Sequence, residues 1–259
     1  MSYYELSKEE RTHFFQNQKK LIKDDLQKNK EDAFLKFAQD NDTYIRKNAY
    51  LILSRLYLNN EELKINISNL IKNNLTHENE KVRQTLAYAL GEIGKIDFDI
   101  AKQFLPAFLE DEHHSVRNGV IGALKRAGRD NPDPTLAFIE IFLTHSNPEI
   151  RREMVHGMEL LGRTHPEKIL PLLKKIQWED NTRVFSMIIH VIGQICYKKG
   201  CVEKVLEMLK NWENKELIGK ALLEMIHVHQ NYEKFSEKSI IELRELIAGF
   251  FPEFRMLLM

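Results

Sequence analysis

Apolar residues recur at helical spacing along almost the whole chain, and they do so in two alternating kinds of segment. Longer stretches carry an aliphatic stripe at three- and four-residue intervals, as in Val82, Leu86, Leu90 and Ile93. Shorter amphipathic stretches at 65–76, 99–110, 134–144, 166–177 and 201–211 lie between them. No segment sustains the period-two alternation of Val, Ile and Thr that a half-buried strand requires. The pattern predicts an all-α fold.

The longer segments share a marker, an aliphatic residue followed by arginine. It reads Ile45-Arg46, Val82-Arg83, Val116-Arg117 and Ile150-Arg151, and continues in degraded form as Val184-Phe185 and Leu217-Ile218. Successive markers lie 37, 34, 34, 34 and 33 residues apart. A period of that size is the signature of stacked helical hairpins, none of which can bury its apolar face alone. Four residues before each marker position stand Asp42, Asn79, His113, Asn147, Asn181 and Asn214. Asp and Asn side chains accept from the open N–H groups of a first helical turn, so these are predicted N-caps. Pro148 falls at a first helical position, where its missing N–H costs nothing. Gly94, Gly128 and Gly162 follow Arg83, Arg117 and Arg151 by eleven residues, a spacing that suits a left-handed residue just past a helix end. Trp178 and Trp212, also 34 apart, read as packing residues at one turn of consecutive hairpins.

The expected architecture is a single domain of about six helical-hairpin repeats over 31–236. A capping helix lies within 1–30, opened by a Ser7/Glu10 capping box. A C-terminal cap spans 237–259, and its FFPEFRMLLM tail is apolar enough to dock on a second chain instead. The segments VRQTLAYALGEIG (82–94) and IRREMVHGMELLG (150–162) resemble the short bacterial HEAT repeats of the phycobilisome-lyase type, over roughly residues 32–230. That resemblance implies a right-handed α-α superhelix, an α-solenoid, whose second helices line a concave face. It implies little about activity, because one fold hosts many functions.

Composition narrows the picture. Lys plus Arg equals Asp plus Glu at 38 each, so no global charge selects nucleic acid or membrane. The N-terminal residues lack a basic stretch followed by an apolar run, and no run of apolar residues is long enough to span a bilayer. The two cysteines, Cys196 and Cys201, are too few for a disulfide framework and too far apart for a CxxC motif. A cytoplasmic protein with no membrane partner is the expectation.

Counting from each marker, positions +1, +5, +8 or +9 and +12 share the helix face away from the buried stripe. They are Gln84, Tyr88, Glu92 and Lys95, then Asn118, Lys125, Arg126 and Arg129. Arg152, His156, Glu159 and Arg163 follow, then Ser186, His190, Gln194 and Lys198. All but Glu92, Lys95 and Ser186 are candidate binding residues. The row holds seven Lys and Arg against two Glu, a footprint for an acidic protein or peptide partner, with a DNA or RNA backbone as the alternative.

The four marker arginines invite a phosphate ladder, but in HEAT-like repeats this arginine packs between units and bonds to neighbouring caps. The resemblance therefore assigns it to architecture. His156 and His190 are one repeat apart, yet zinc needs three or four ligands and only Glu159 stands near. No metal or cofactor is predicted. Deoxyhypusine hydroxylases on this fold use several His-Glu pairs, and this chain has one, His77-Glu78, in a turn. A weaker similarity links the chain to HEAT-like alkylpurine DNA glycosylases, whose basic cleft holds Trp and Asp. Here Asp180 follows Trp178, but both tryptophans fall in turns rather than on second helices. Nothing besides the repeat supports bilin lyase chemistry. No phosphate loop, nucleophile elbow or HExxH occurs, so no catalytic residue is assigned. A non-enzymatic interaction scaffold is the favoured reading.

Overall fold

The computed structural model describes residues 3–258, whose regular structure is entirely helical. Helix α1 (Lys8–Gln27) comes first, and six hairpins follow. They are α2 (Asp32–Ala38) with α3 (Thr43–Asn59), α4 (Lys64–Asn73) with α5 (Glu80–Ile93), and α6 (Phe98–Leu109) with α7 (His114–Asp130). Next come α8 (Pro132–Phe142) with α9 (Pro148–Gly157) and its continuation α10 (Glu159–Gly162). The last are α11 (Pro166–Lys175) with α12 (Thr182–Cys196), and α13 (Val202–Leu209) with α14 (Lys215–Asn231). Helix α15 (Ile240–Phe250) and a 3-10 segment, Pro252–Leu258, end the chain. Two compact units result, Met1–Thr135 and Leu136–Met259, with the division inside α8.

Each unit has two layers. In the N-terminal unit the second helices α3, α5 and α7 pack side by side, while α4 meets α6 in the other layer. In the C-terminal unit α9, α12 and α14 form one layer and α11, α13 and α15 the other. The aliphatic stripes meet between layers. Val82, Leu86, Leu90 and Ile93 are fully buried in the first unit, as are Val184, Ile188, Val191 and Ile195 in the second. Each such side chain contributes about 1.5–3 kcal/mol by leaving water. Helices α5 and α7 come close backbone to backbone, where a Cβ on Gly91 would lie 2.4 Å from Ala123 Cα.

The turns between first and second helices are built to one plan. All six predicted caps accept from a first-turn N–H: Asp42 from Tyr44, Asn79 from Lys81, His113 from Ser115, Asn147 from Glu149, Asn181 from Arg183 and Val184, and Asn214 from Leu217. Two residues earlier, Asp40, His77, Asp111, His145 and Glu179 each accept the N–H of the cap itself, at 2.7, 3.0, 2.8, 3.1 and 2.9 Å. The marker arginines close the same turns. Nη1 of Arg46, Arg117 and Arg151 donates to the first carbonyl of its turn at 2.6, 2.7 and 2.7 Å, and Arg83 does likewise to His77. Two of them also latch the next hairpin. Arg83 donates twice to Asp111 at 2.6 and 3.0 Å, and Arg151 twice to Glu179 at 2.7 and 2.7 Å. The arginine ladder is structural.

Ser7 and Glu10 form the capping box expected of α1. The polar break after it turns through Asn29, whose φ of 56° is left-handed. The expected left-handed glycines are not found. Gly94 has a φ of −62°, Gly128 lies within α7 and Gly162 within α10. Close packing explains two of them, since a Cβ on Gly94 would press on Phe98 at 3.2 Å and one on Gly162 on Ile195 at 2.3 Å. At the C-terminus Phe251 is buried and the Phe254 ring lies against Gly219 of α14, so the tail as far as Phe254 covers its own unit. The side chains of Met256–Met259 fall outside the described residues.

Candidate functional site

The second-helix layer of each unit opens into a cleft between the N-terminal halves of neighbouring helices. In the N-terminal unit the cleft measures about 410 Å³, bounded by Tyr44, Arg46, Lys47 and Tyr50 of α3, Gln84 and Tyr88 of α5, and Arg126 of α7. The Arg126 guanidinium lies over the rings of Tyr88 and Tyr50 at 4.7 and 5.6 Å. It also pairs with Glu92 at 3.2 Å and donates to the Gly122 carbonyl at 3.2 Å. A planar guanidinium between aromatic faces keeps its charge while its orientation is fixed. Burial pushes the Tyr50 phenol up, the charge of Arg126 pulls the other way, and the net shift is upward. Tyr50 is therefore a neutral hydroxyl at physiological pH. Gln84 is turned to the Ser115 carbonyl, which it reaches at 2.9 Å, and so ties α5 to α7. No carboxylate lines this cleft.

The matching cleft of the C-terminal unit also measures about 410 Å³ and lies between α12 and α14. Its walls carry Glu179, Asp180 and Glu216 against one cation, Lys220, with Trp178 and Phe185 as aromatic surface. Lys220 pairs with Glu216 at 2.6 Å and lies over Phe185 at 5.3 Å.

Farther along the C-terminal unit's second helices, the candidate residues form a connected polar network. His156 Nε2 approaches Glu159 at 3.2 Å, and Arg163 bonds to Glu159 and, at 2.7 Å, to Gln194. Arg163 and Lys198 lie over the Tyr197 ring at 5.4 and 4.6 Å. His156 and His190 meet edge-to-face at 6.3 Å, but each turns to a carboxylate, His190 towards Glu224 at 3.6 Å. Among the described residues, no group of three or more His, Cys, Asp or Glu side chains is arranged to hold a metal ion. Both cysteines are buried thiols, and burial pushes that of Cys196 far up.

The candidate row is thus split in two ways. Tyr88, Gln84 and Arg126 converge on one cleft. Asn118 and Arg129 are exposed and Lys125 is half-buried, and none of the three lines that cleft. Glu159 and Gln194 are 7% exposed each, inside the network rather than on an open face. The charge count also changes. Arg126 is met by Glu92, Arg129 by Asp130 at 3.1 Å, Arg152 by Glu149 at 3.2 Å, and Arg163 by Glu159. The count from the register left out Glu149 and Asp130, which pair with two of its seven cations. Residues it missed are Lys47 and Tyr50, of which Lys47 occupies the +1 place of the first repeat, and Trp178.

No protein-family model matches the chain, and no curated protein matches it. Solved structures similar to it include helical repeat proteins. The archaeal HEAT-like repeats protein from Thermococcus onnurineus NA1 is 16% identical, with a TM-score of 0.40, covering 91% of this chain and 93% of that one. A designed armadillo repeat protein in complex with the peptide (KR)4 is 15% identical with a TM-score of 0.35, covering 74% and 96%. An engineered protein is 16% identical with a TM-score of 0.36, covering 80% and 99%. Among the described residues no helix is long and apolar enough to cross a membrane.

Proposed function

We propose that this protein is a non-catalytic interaction scaffold that seats an acidic peptide segment in the cleft between α3 and α5. One observation carries the reading: Arg46, Lys47 and Arg126 line that cleft, three tyrosines supply its aromatic surface, and no carboxylate faces it. Glu92 offsets one charge from behind Arg126, which leaves a surplus of two. Lys47 is exposed, and Arg46 uses Nη1 alone on its own turn. A carboxylate entering beside the tyrosine rings meets Arg46 and Arg126 already held in place, which favours affinity. A nucleic-acid backbone needs a long run of uncompensated cations, and the pairing along the rest of the row argues for the peptide.

The test is fluorescence anisotropy with a labelled glutamate-rich peptide and a labelled DNA duplex, each titrated at two salt concentrations. The peptide is expected to bind, and Lys47→Glu to weaken it about tenfold by replacing attraction with repulsion. Preferential binding of the duplex, lost steeply with salt, would overturn the peptide reading in favour of a phosphate backbone.

A further inference from the structure

Trp178 stands at a place that the fold otherwise keeps polar. Three residues before each N-cap the repeats carry Gln39, Thr76, Glu110, Thr144, Trp178 and Asn211, and all six are exposed. The position one later holds Asp40, His77, Asp111, His145, Glu179 and Trp212, none of them exposed. The tryptophans lie 34 residues apart, whereas the caps Asn181 and Asn214 lie 33 apart. The two indoles therefore fall at different places in the turn. Trp212 takes the inward place and is 3% exposed, while Trp178 takes the outward place and is 67% exposed. Folding accounts for the first tryptophan and not for the second.

The exposure is not a product of slack backbone. On one side Gln177 is buried, and its side-chain oxygen accepts the N–H groups of Glu213 and Asn214 at 2.9 and 3.0 Å. Its carbonyl accepts from the Asn214 side chain at 2.7 Å. On the other side Glu179 is held by two bonds from Arg151 and by the Asn181 N–H. The indole is presented outward from a turn anchored at both flanks, the condition under which a large aromatic side chain anchors a partner at low entropic cost.

The neighbouring charges choose the ligand. Trp178 forms a wall of the 410 Å³ cleft together with Glu179, Asp180 and Glu216. Glu179 is taken up by Arg151 and Glu216 by Lys220. Asp180 is exposed and has no ion-pair partner among the described residues. An open indole face beside an uncommitted carboxylate suits a planar cation, because a guanidinium stacks on the ring while its N–H groups bond to the carboxylate. We infer that Trp178 and Asp180 form a binding site for an arginine side chain of a partner peptide. This site is separate from the acidic-peptide cleft between α3 and α5 and does not depend on it.

The full chain is titrated against a labelled peptide of arginines separated by glycines, with the same peptide carrying glutamines as control. Binding of the arginine peptide is expected to weaken about tenfold in Trp178→Ala and in Asp180→Asn, and to persist in Trp178→Phe, which keeps an aromatic face. Because Trp178 and Asp180 are exposed, circular dichroism melts of the three variants should superimpose on that of the parent. Binding of the arginine peptide to Trp178→Ala as tight as to the parent would overturn the site, as would failure of the parent to distinguish the arginine peptide from the glutamine control. Lys47→Glu serves as the cross-check, since it should leave arginine-peptide binding unchanged.

Discussion

The two clefts have about the same volume and both open between neighbouring second helices, the C-terminal one nearer the turn, yet their walls carry opposite charge. The N-terminal one has Arg46, Lys47 and Arg126 and no carboxylate, while the C-terminal one has three carboxylates and a single lysine. The repeat makes the cleft, because second helices held side by side by the same caps leave the same gap. The chemistry comes from positions that the stacking does not constrain. At the turn before α12 such a position holds an exposed tryptophan, and before α14 a tryptophan one place later is buried.

The sharpest way to break this comparison is to remove each tryptophan in turn. Trp212→Ala should cost about 3–5 kcal/mol of stability by opening a cavity. Trp178→Ala should stay within about 0.5 kcal/mol, as a surface change does. Urea denaturation followed by circular dichroism measures both, and equal losses would mean that the two indoles play one packing role.

Next in size are the latches. Arg83→Ala strips a largely buried Asp111 of its partner and should cost about 3 kcal/mol. Arg46→Ala, which gives up only hydrogen bonds to the carbonyls of Asp40 and Asn41, should cost about 1.5 kcal/mol. The difference in urea midpoint between the two variants measures the latch itself.

Acid should separate the units. His229 is 1% exposed, and burial lowers its pKa from 6.5 despite the hydrogen bond to the Met225 carbonyl. Its folded-state pKa is depressed, so its contribution is present above pH 6.5 and is lost as pH falls through the folded value. In the same unit Arg151 chiefly lowers the Glu179 pKa from 4.5, and that contribution disappears below pH 4.5. In the N-terminal unit burial would raise the Asp111 pKa, but Arg83 and the His113 N–H outweigh it, and the loss begins only below 3.8. Hydrogen exchange at stepped pH should show the C-terminal unit loosening first, and His229→Gln should remove the step that sets in below pH 6.5. The smallest effect is on charge selection: adding Asp180→Lys to Trp178→Ala should weaken the arginine peptide a further few-fold.

Much of the frame was legible in the sequence because it is local. Helical spacing, Asp or Asn caps and the marker arginine each act within a few residues, and all six predicted caps accept as expected. The glycines misled, since the spacing that suits a helix end also suits a helix packed closely on its neighbour, as Gly162 is on Ile195. The charge of the candidate row was misread for a different reason. Glu149 and Asp130 sit off the counted register, but Glu149 reaches Arg152 from three residues before it and Asp130 reaches Arg129 from the next residue. The contrast between the tryptophans lay in the sequence all along, in a spacing one residue longer than that of the caps.

The latches have a mechanical consequence. A stack of hairpins behaves as a chain of nearest-neighbour couplings, and unfolding begins at the weakest junction. The bidentate pairs Arg83–Asp111 and Arg151–Glu179 stiffen one junction in each unit. The junction between the first two hairpins has no counterpart, for there Arg46 faces a turn whose corresponding residue is His77, a histidine in place of an acid. A ligand seated between α3 and α5 would bridge a joint that lacks such a pair.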